Sequence, residues 1–220
     1  MPPRRKVSNL LGLSLLPLLS QRPMYPYEMA TTLRERGKDT AIKINWGSFY
    51  TVVQNLEKHG LIEAAGSSRE GRRPERTLYA ITAAGKAELT DWLHELVAVP
   101  EPEPSRFVAA LSVLGVLPPD EVADLLAARL RALQEGIAGD RDSLARTARE
   151  VPRIFLIESE FELAMREAQA AWVRGLLGEI TSGTLPGVEQ WRHYHASGEL
   201  PAQYTDLITK GLITKGEPPP

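Results

Sequence analysis

Apolar residues recur along this chain with mostly helical spacing. Leucines at positions 10, 11, 13, 15, 16, 18 and 19 make residues 9–19 apolar on nearly every side, the pattern of a helix enclosed by its neighbours. Residues 26–36 carry Met29, Ala30 and Leu33 at helical spacing, and Gly37 is placed to end that helix. A third helix opens near Trp46. Asn45 is placed as its N-cap, Phe49, Val53 and Leu56 share one face, Lys58 and His59 occupy the last turn, and Gly60 closes it. Two short β-favouring runs, residues 61–65 and 77–81, flank the polar stretch 66–76, which predicts a hairpin with a long tip. Thr82 then caps a helix on which Leu89, Leu93 and Leu96 or Val97 mark an apolar stripe, with Trp92 on or beside it.

Pro100, Pro102 and Pro104 alternate with other residues, and no helix continues through them. Beyond this break the spacing predicts three more helices, over residues 106–117, 121–148 and 152–180. At about 1.5 Å per residue the last two each span about 40 Å, longer than a small monomeric core requires, which points to contact with a partner. The pattern weakens after Gly183. There Leu207–Gly211 recurs as Leu212–Gly216, a tandem too short for a solenoid. The expected organisation is a domain over 8–98, a helical domain over 104–183, and a weakly structured extension over 184–220.

The polar positions carry the candidate chemistry. Opposite the buried face of the third helix lie Ser48, Thr51, Gln54, Asn55 and Lys58, all able to hydrogen-bond a base edge or a phosphate. Arg69, Arg72, Arg73 and Arg76 cluster at the hairpin tip, and guanidinium forks suit phosphate oxygens. Three helices followed by a basic hairpin form a winged helix-turn-helix, in which the third helix enters the major groove and the wing reaches the adjacent backbone. Charge agrees with that division of labour. Residues 1–98 hold 14 Lys+Arg against 10 Asp+Glu, a balance of +4, while residues 99–220 hold 12 against 18, a balance of −6. A basic module that meets a polyanion is thus joined to an acidic one that does not. The fold class expected is mainly α, a winged helix-turn-helix followed by a helical C-terminal dimerisation domain. The absence of cysteine excludes disulfides, thiolate zinc sites and thiol nucleophiles, and fits a reducing cytoplasm. No apolar run reaches the roughly 18 residues of a membrane span.

The same residues resemble a family. Leu11-Gly-Leu, Tyr27-Glu28, Gly47-Ser-Phe-Tyr50 followed by Leu56-Glu57 and Gly60-Leu-Ile62, Gly71-Arg-Arg-Pro74, and Leu78-Tyr-Ala-Ile-Thr with Gly85 look like the PadR family of bacterial transcriptional regulators. The match covers about residues 8–98, and the helical remainder is similar in length to the dimerisation region of the longer PadR-like subfamily. The resemblance implies a homodimeric repressor, or less often an activator, that binds an inverted repeat in double-stranded DNA and is released by a small molecule. It places Gly47, Ser48 and Tyr50 where the family's recognition helix meets DNA, with Trp46 just before them, and Gly71, Arg72, Arg73 and Pro74 in the wing motif. It also places Trp92 where some relatives stack flat hydrophobic ligands between subunits. Two departures stand out. The family usually has proline where this chain has Thr51, and a basic residue where it has Glu75.

Other signals carry less. His193 and His195 with Glu199 offer metal-ligand chemistry at a spacing poor for a helix, so an exposed loop is expected there. Glu158, Glu160 and Glu162 scatter around a helix and read as a solvated rim. No nucleophile elbow and no phosphate loop appears, so neither enzyme activity nor a cofactor is expected. The competing reading is a helical interaction protein whose winged-helix unit binds a protein partner, favoured by Glu70 and Glu75 beside the wing arginines.

Overall fold

The computed structural model describes residues 5, 7–35, 46–68, 76–100 and 105–199. Gly37, Asn45, Arg69, Arg72, Arg73 and the Leu-Ile-Thr-Lys-Gly tandem lie outside the described residues. The chain divides into two compact units, 1–103 and 104–220.

The N-terminal unit is built around α1 (Leu10–Gln21), which starts where the Asn9 side chain accepts from the Leu11 N–H at 2.9 Å. Its leucines at 11, 15, 16, 18 and 19 are all buried. This helix touches α2, α3, α4 and a strand, so most of its apolar positions meet protein, while Leu10, Ser14 and Ser20 face outward. Gly12 leaves room for Val7 and α3. A Cβ there would lie 3.1 Å from Val7 and in contact with Val52 and Leu56 of α3.

α2 (Pro26–Glu35) opens with proline at its first position, while the Glu28 carboxylate accepts from the Tyr25 N–H at 2.8 Å, half of a capping box. α3 (Phe49–Lys58) follows a 3-10 turn over Trp46–Ser48. The helical path thus begins at Trp46 as expected, but its α-helical part starts only at Phe49, and Ser48 makes no side-chain cap. The strands β1 (Ile62–Ser68) and β2 (Arg76–Ile81) pair antiparallel from Ile62↔Ile81 to Ser68↔Arg76, with an irregularity between Ala64 and Gly66. Both extend into the stretch expected to be loop, because backbone pairing needs no apolar side chain where the sheet is open to solvent. Met24 adds a bridge to β2, exchanging both backbone hydrogen bonds with Tyr79 at 3.0 Å.

α4 (Ala83–Ala98) is capped by Thr82, whose hydroxyl accepts from the Gly85 N–H at 3.0 Å. Its buried face corrects part of the sequence expectation, for Leu89 packs against the core as expected. Gly85 and Trp92 are buried, seven residues apart, whereas Leu93, Leu96 and Val97 are exposed. Gly85 decides the orientation, because α4 packs so closely there that a Cβ would collide with the Leu61 carbonyl oxygen.

In the C-terminal unit the single helix expected over 106–117 is divided into α5 (Arg106–Leu111) and a 3-10 turn, Leu114–Val116. Gly115 and two valines disfavour the helix, and Leu117, held extended before Pro118, cannot continue it. α6 (Pro119–Thr147) and α7 (Ile157–Ser182) run antiparallel as a helical hairpin. Arg166 pairs with Asp140, and Arg141 donates to Glu167 at 2.8 Å. Val122, Leu126, Val173, Ile180 and Val188 form the core.

The extension expected to be weakly structured holds a further helix, α8 (Val188–Ser197). His193 and His195 therefore sit on a helix rather than in a loop. His195 Nε2 lies 3.0 Å from the Gly115 carbonyl, and the Trp191 indole donates to the Leu117 carbonyl at 2.9 Å. Such pairings span more than 70 residues of chain, so local pattern does not reveal them. No helix among the described residues is long and apolar enough to cross a membrane.

Candidate nucleic-acid interface

α3 sorts its residues strictly between two faces. Phe49, Val52, Val53 and Leu56 are buried against α1 and its neighbours, while Tyr50, Thr51, Gln54, Asn55 and Lys58 are all exposed. The sequence pattern identified three of the four buried positions and omitted Val52, which borders Thr51 and completes the apolar stripe. The exposed five recur at helical spacing and extend about 12 Å along the axis, close to the width of a major groove. Tyr50 is 62% exposed, its ring set edge-on to Phe49 with centroids 5.6 Å apart. Anchored through Phe49, the phenol is presented outward from the first turn.

Trp46 occupies a different place from the other expected contact residues. Its ring is half-buried, stacks on Phe49 at 5.8 Å, and carries the Arg34 guanidinium 4.0 Å from its centroid. These contacts fix the approach to α3 and make Trp46 a packing residue. Gly47 is exposed and Ser48 half-buried at the same turn.

The far end of α3 is fixed by backbone geometry. Gly60 has φ +70°, Leu61 N–H donates to Leu56 C=O at 2.9 Å, and Gly60 N–H donates to Glu57 C=O at 2.8 Å. This Schellman pairing satisfies the last carbonyls and turns the chain directly into β1. The Thr82 hydroxyl donates to the Gly60 carbonyl at 2.6 Å and the Thr82 N–H donates to Leu61 C=O at 3.1 Å. One threonine therefore holds the end of α3, the base of the hairpin and the start of α4 together.

A further tie was not legible in the sequence. The Tyr79 hydroxyl donates to Glu57 Oε2 at 3.1 Å, linking β2 to α3. Burial raises the Tyr79 pKa above its ordinary value, and the bond to Glu57 raises it further. Only the chance that two residues 22 apart converge makes this pair, and no spacing rule announces it.

The paired strands bring Ser68 opposite Arg76, so the segment carrying Arg69, Arg72 and Arg73 is the connection between them. Those three arginines lie outside the described residues, and Arg76 is described only as the backbone that begins β2.

Trp92 is 3% exposed, and the Arg5 guanidinium stands 5.6 Å from its ring centroid. Arg5 is held there by Glu95 at 2.7 Å and Glu88 at 2.6 Å. Partial burial pulls the Arg5 pKa down, and the two carboxylates more than reverse this, leaving it raised. A ligand stacking on Trp92 would have to displace Arg5. Among the described residues no group of three or more His, Asp or Glu side chains is arranged to hold a metal ion.

Residues 15–91 match the model of the transcriptional regulator PadR-like family. Among solved structures, the chain is similar to Bacillus subtilis PadR in complex with operator DNA, at TM-score 0.61 and 20% identity over 78% of this chain and 99% of that one. The same Bacillus protein in complex with p-coumaric acid gives TM-score 0.62 and 20% identity, with the same coverage of 78% and 99%. The Vibrio cholerae virulence activator AphA gives TM-score 0.55 and 19% identity over 78% of this chain and 98% of that one. No curated protein sequence matches the chain significantly. These likenesses establish the fold, a winged-helix unit followed by a helical one. Over residues 15–91 the sequence is similar to the transcriptional regulator PadR-like family.

Proposed function

We propose that the protein is a sequence-specific DNA-binding repressor that acts as a homodimer on an inverted repeat and is released by a small hydrophobic ligand. The observation that carries the DNA reading is the exposed polar face of α3. Five side chains suited to base edges or phosphates stand in one stripe, on a helix whose opposite face and C-terminal end are both fixed. Tyr50, Thr51, Gln54 and Asn55 read bases, Lys58 meets phosphate, and Gly47 and Ser48 let the first turn approach the backbone. Arg69, Arg72, Arg73 and Arg76 supply the wing's phosphate contacts. Bacillus subtilis PadR, of the same fold, has been crystallised with its operator.

The dimer reading is supported by an apolar stripe left open on the C-terminal unit. Phe155, Phe161, Met165 and Trp172 are each more than half exposed. Closing such a stripe against a second copy buries it on a two-fold axis, the symmetry that an inverted repeat shares. Release by a ligand is supported by the p-coumaric acid complex of the Bacillus protein.

A salt-titrated binding assay on the DNA immediately upstream of the gene tests the proposal. Saturable binding to one fragment, weakening steeply as salt rises, is expected. Binding that is indifferent to both fragment and salt would overturn it.

A further inference from the structure

The exposed side of α3 carries one carboxylate, and the DNA reading above gives it no task. Glu57 follows Tyr50 and Gln54 at spacings of seven and three, so it extends their row into the last turn of the helix, beside Lys58. It is exposed. At the surface of DNA a carboxylate there meets phosphates of like charge and subtracts from what Lys58 contributes. The helix offers it no counter-charge. The positions three and four residues away are Val53, Gln54, Gly60 and Leu61, none of them cationic.

The group that holds Glu57 comes from β2. The Tyr79 hydroxyl donates to Glu57 Oε2 at 3.1 Å, and Tyr79 itself is only 8% exposed. Its place is set without Glu57, because its backbone exchanges both hydrogen bonds with Met24 at 3.0 Å and its ring packs in the core around α1. A bond from a hydroxyl to a carboxylate is charge-assisted, stronger than one between neutral groups. It draws the end of a long exposed side chain toward β2, out of the row of Tyr50 and Gln54. A neutral donor does not cancel the charge of its acceptor, so what Tyr79 controls is where that charge sits.

We propose that Tyr79 is a positioning residue for DNA binding: by holding Glu57 against β2, it keeps the one carboxylate of the α3 polar face away from the phosphates that Lys58 approaches. The proposal rests on the DNA-binding reading above and adds to it a residue that itself touches no DNA. Released, Glu57 weakens binding to every sequence, since repulsion from phosphate carries no base information.

The test measures the affinity of the full chain by fluorescence anisotropy across a salt series, for its upstream fragment and for an unrelated duplex of equal length. The native protein is compared with Tyr79→Phe, Glu57→Gln and the two combined. Tyr79→Phe should weaken both duplexes alike, by about threefold to tenfold at low salt, and the loss should shrink as salt screens the freed charge. Glu57→Gln keeps an acceptor for the phenol and removes the charge, so it should bind both duplexes at least as tightly as the native protein. Adding Tyr79→Phe to Glu57→Gln should then change affinity by less than about twofold, because no charge remains to be released. That comparison separates placement of a charge from support of the fold, since a bond that merely braces α3 would be lost in both backgrounds at the same cost. The proposal is overturned if Tyr79→Phe binds as the native protein does, if it weakens binding equally with and without Glu57→Gln, or if its effect ignores salt. It is also overturned if Glu57→Gln alone weakens the upstream fragment selectively, since Glu57 would then be reading a base. A native chain that binds neither duplex contradicts the DNA reading and this proposal with it, whereas any of the outcomes above with a native chain that binds contradicts this proposal alone.

Discussion

Replacing Gly85 with alanine sets two effects of opposite sign against each other. In an open helix Gly→Ala stabilises by about 0.5–1 kcal/mol, because alanine loses less backbone freedom on folding. At Gly85 the added Cβ would collide with the Leu61 carbonyl oxygen and press on Ile81 at 2.8 Å. Backbone cannot rotate aside as a side chain can, so α4 or the base of the hairpin must move, a strain of about 1–3 kcal/mol. Moving Leu61 also disturbs the bonds its carbonyl accepts from the Thr82 N–H and hydroxyl, at 3.1 and 3.2 Å, worth about 1 kcal/mol each. The net expectation is a loss of about 2–4 kcal/mol. Gly139→Ala in α6, where a Cβ meets nothing within 4 Å, is the control and should stabilise. Native-state hydrogen exchange of the full chain reads each unit separately, with protection in β1 and α4 expected to fall for Gly85→Ala. Because Leu61 follows the cap of α3, DNA affinity should fall as well. Unchanged or greater protection of α4 in Gly85→Ala would refute the claim that this close approach fixes the base of the winged unit.

Lys58→Ala should weaken binding to all DNA sequences about equally and reduce the slope of log affinity against log salt by about one, as measured by fluorescence anisotropy across a salt series. Phe161→Arg places a charge in the open stripe of α7 and should convert the proposed dimer to monomer in sedimentation equilibrium, while leaving the far-ultraviolet circular dichroism of the fold intact. Tyr79→Phe addresses the raised pKa. A raised folded-state pKa means that the stability due to the neutral phenol is fully present below its ordinary value, about 10, and is lost as pH rises through the higher folded value. Urea unfolding of the native protein should therefore show stability falling above about pH 10, with a smaller fall in Tyr79→Phe.

The parts of the fold legible in the sequence are those set by local physics. The largely buried α1 followed from its density of leucine, the end of α3 from Gly60, and the cap of α4 from Thr82, each a matter of side-chain polarity or backbone sterics within a few residues. What escaped were outcomes of tertiary choice. Of the apolar stripe expected on α4, Leu89 and Trp92 do face the core while Leu93, Leu96 and Val97 are exposed, because the close backbone contact at Gly85 sets which way the helix faces. α8 was missed since its ten residues carry too few apolar positions to show a period, and Val188 and Trp191 become apolar anchors only once α6 and α7 are in place. In the candidate interface, the polar face of α3 was legible because burial of the opposite face leaves it no alternative. The Tyr79–Glu57 tie and the packing role of Trp46 were not, because each depends on a residue far away in the chain.

The claim that the polar face of α3 reads DNA sequence is tested most directly by selecting bound duplexes from a random pool with the native protein, Gln54→Ala and Asn55→Ala. The native protein should enrich one inverted repeat, and each variant should relax preference at a symmetric pair of positions while retaining the half-site spacing. An unenriched pool, or a motif that neither substitution alters, would contradict the assignment of α3 as the reading helix.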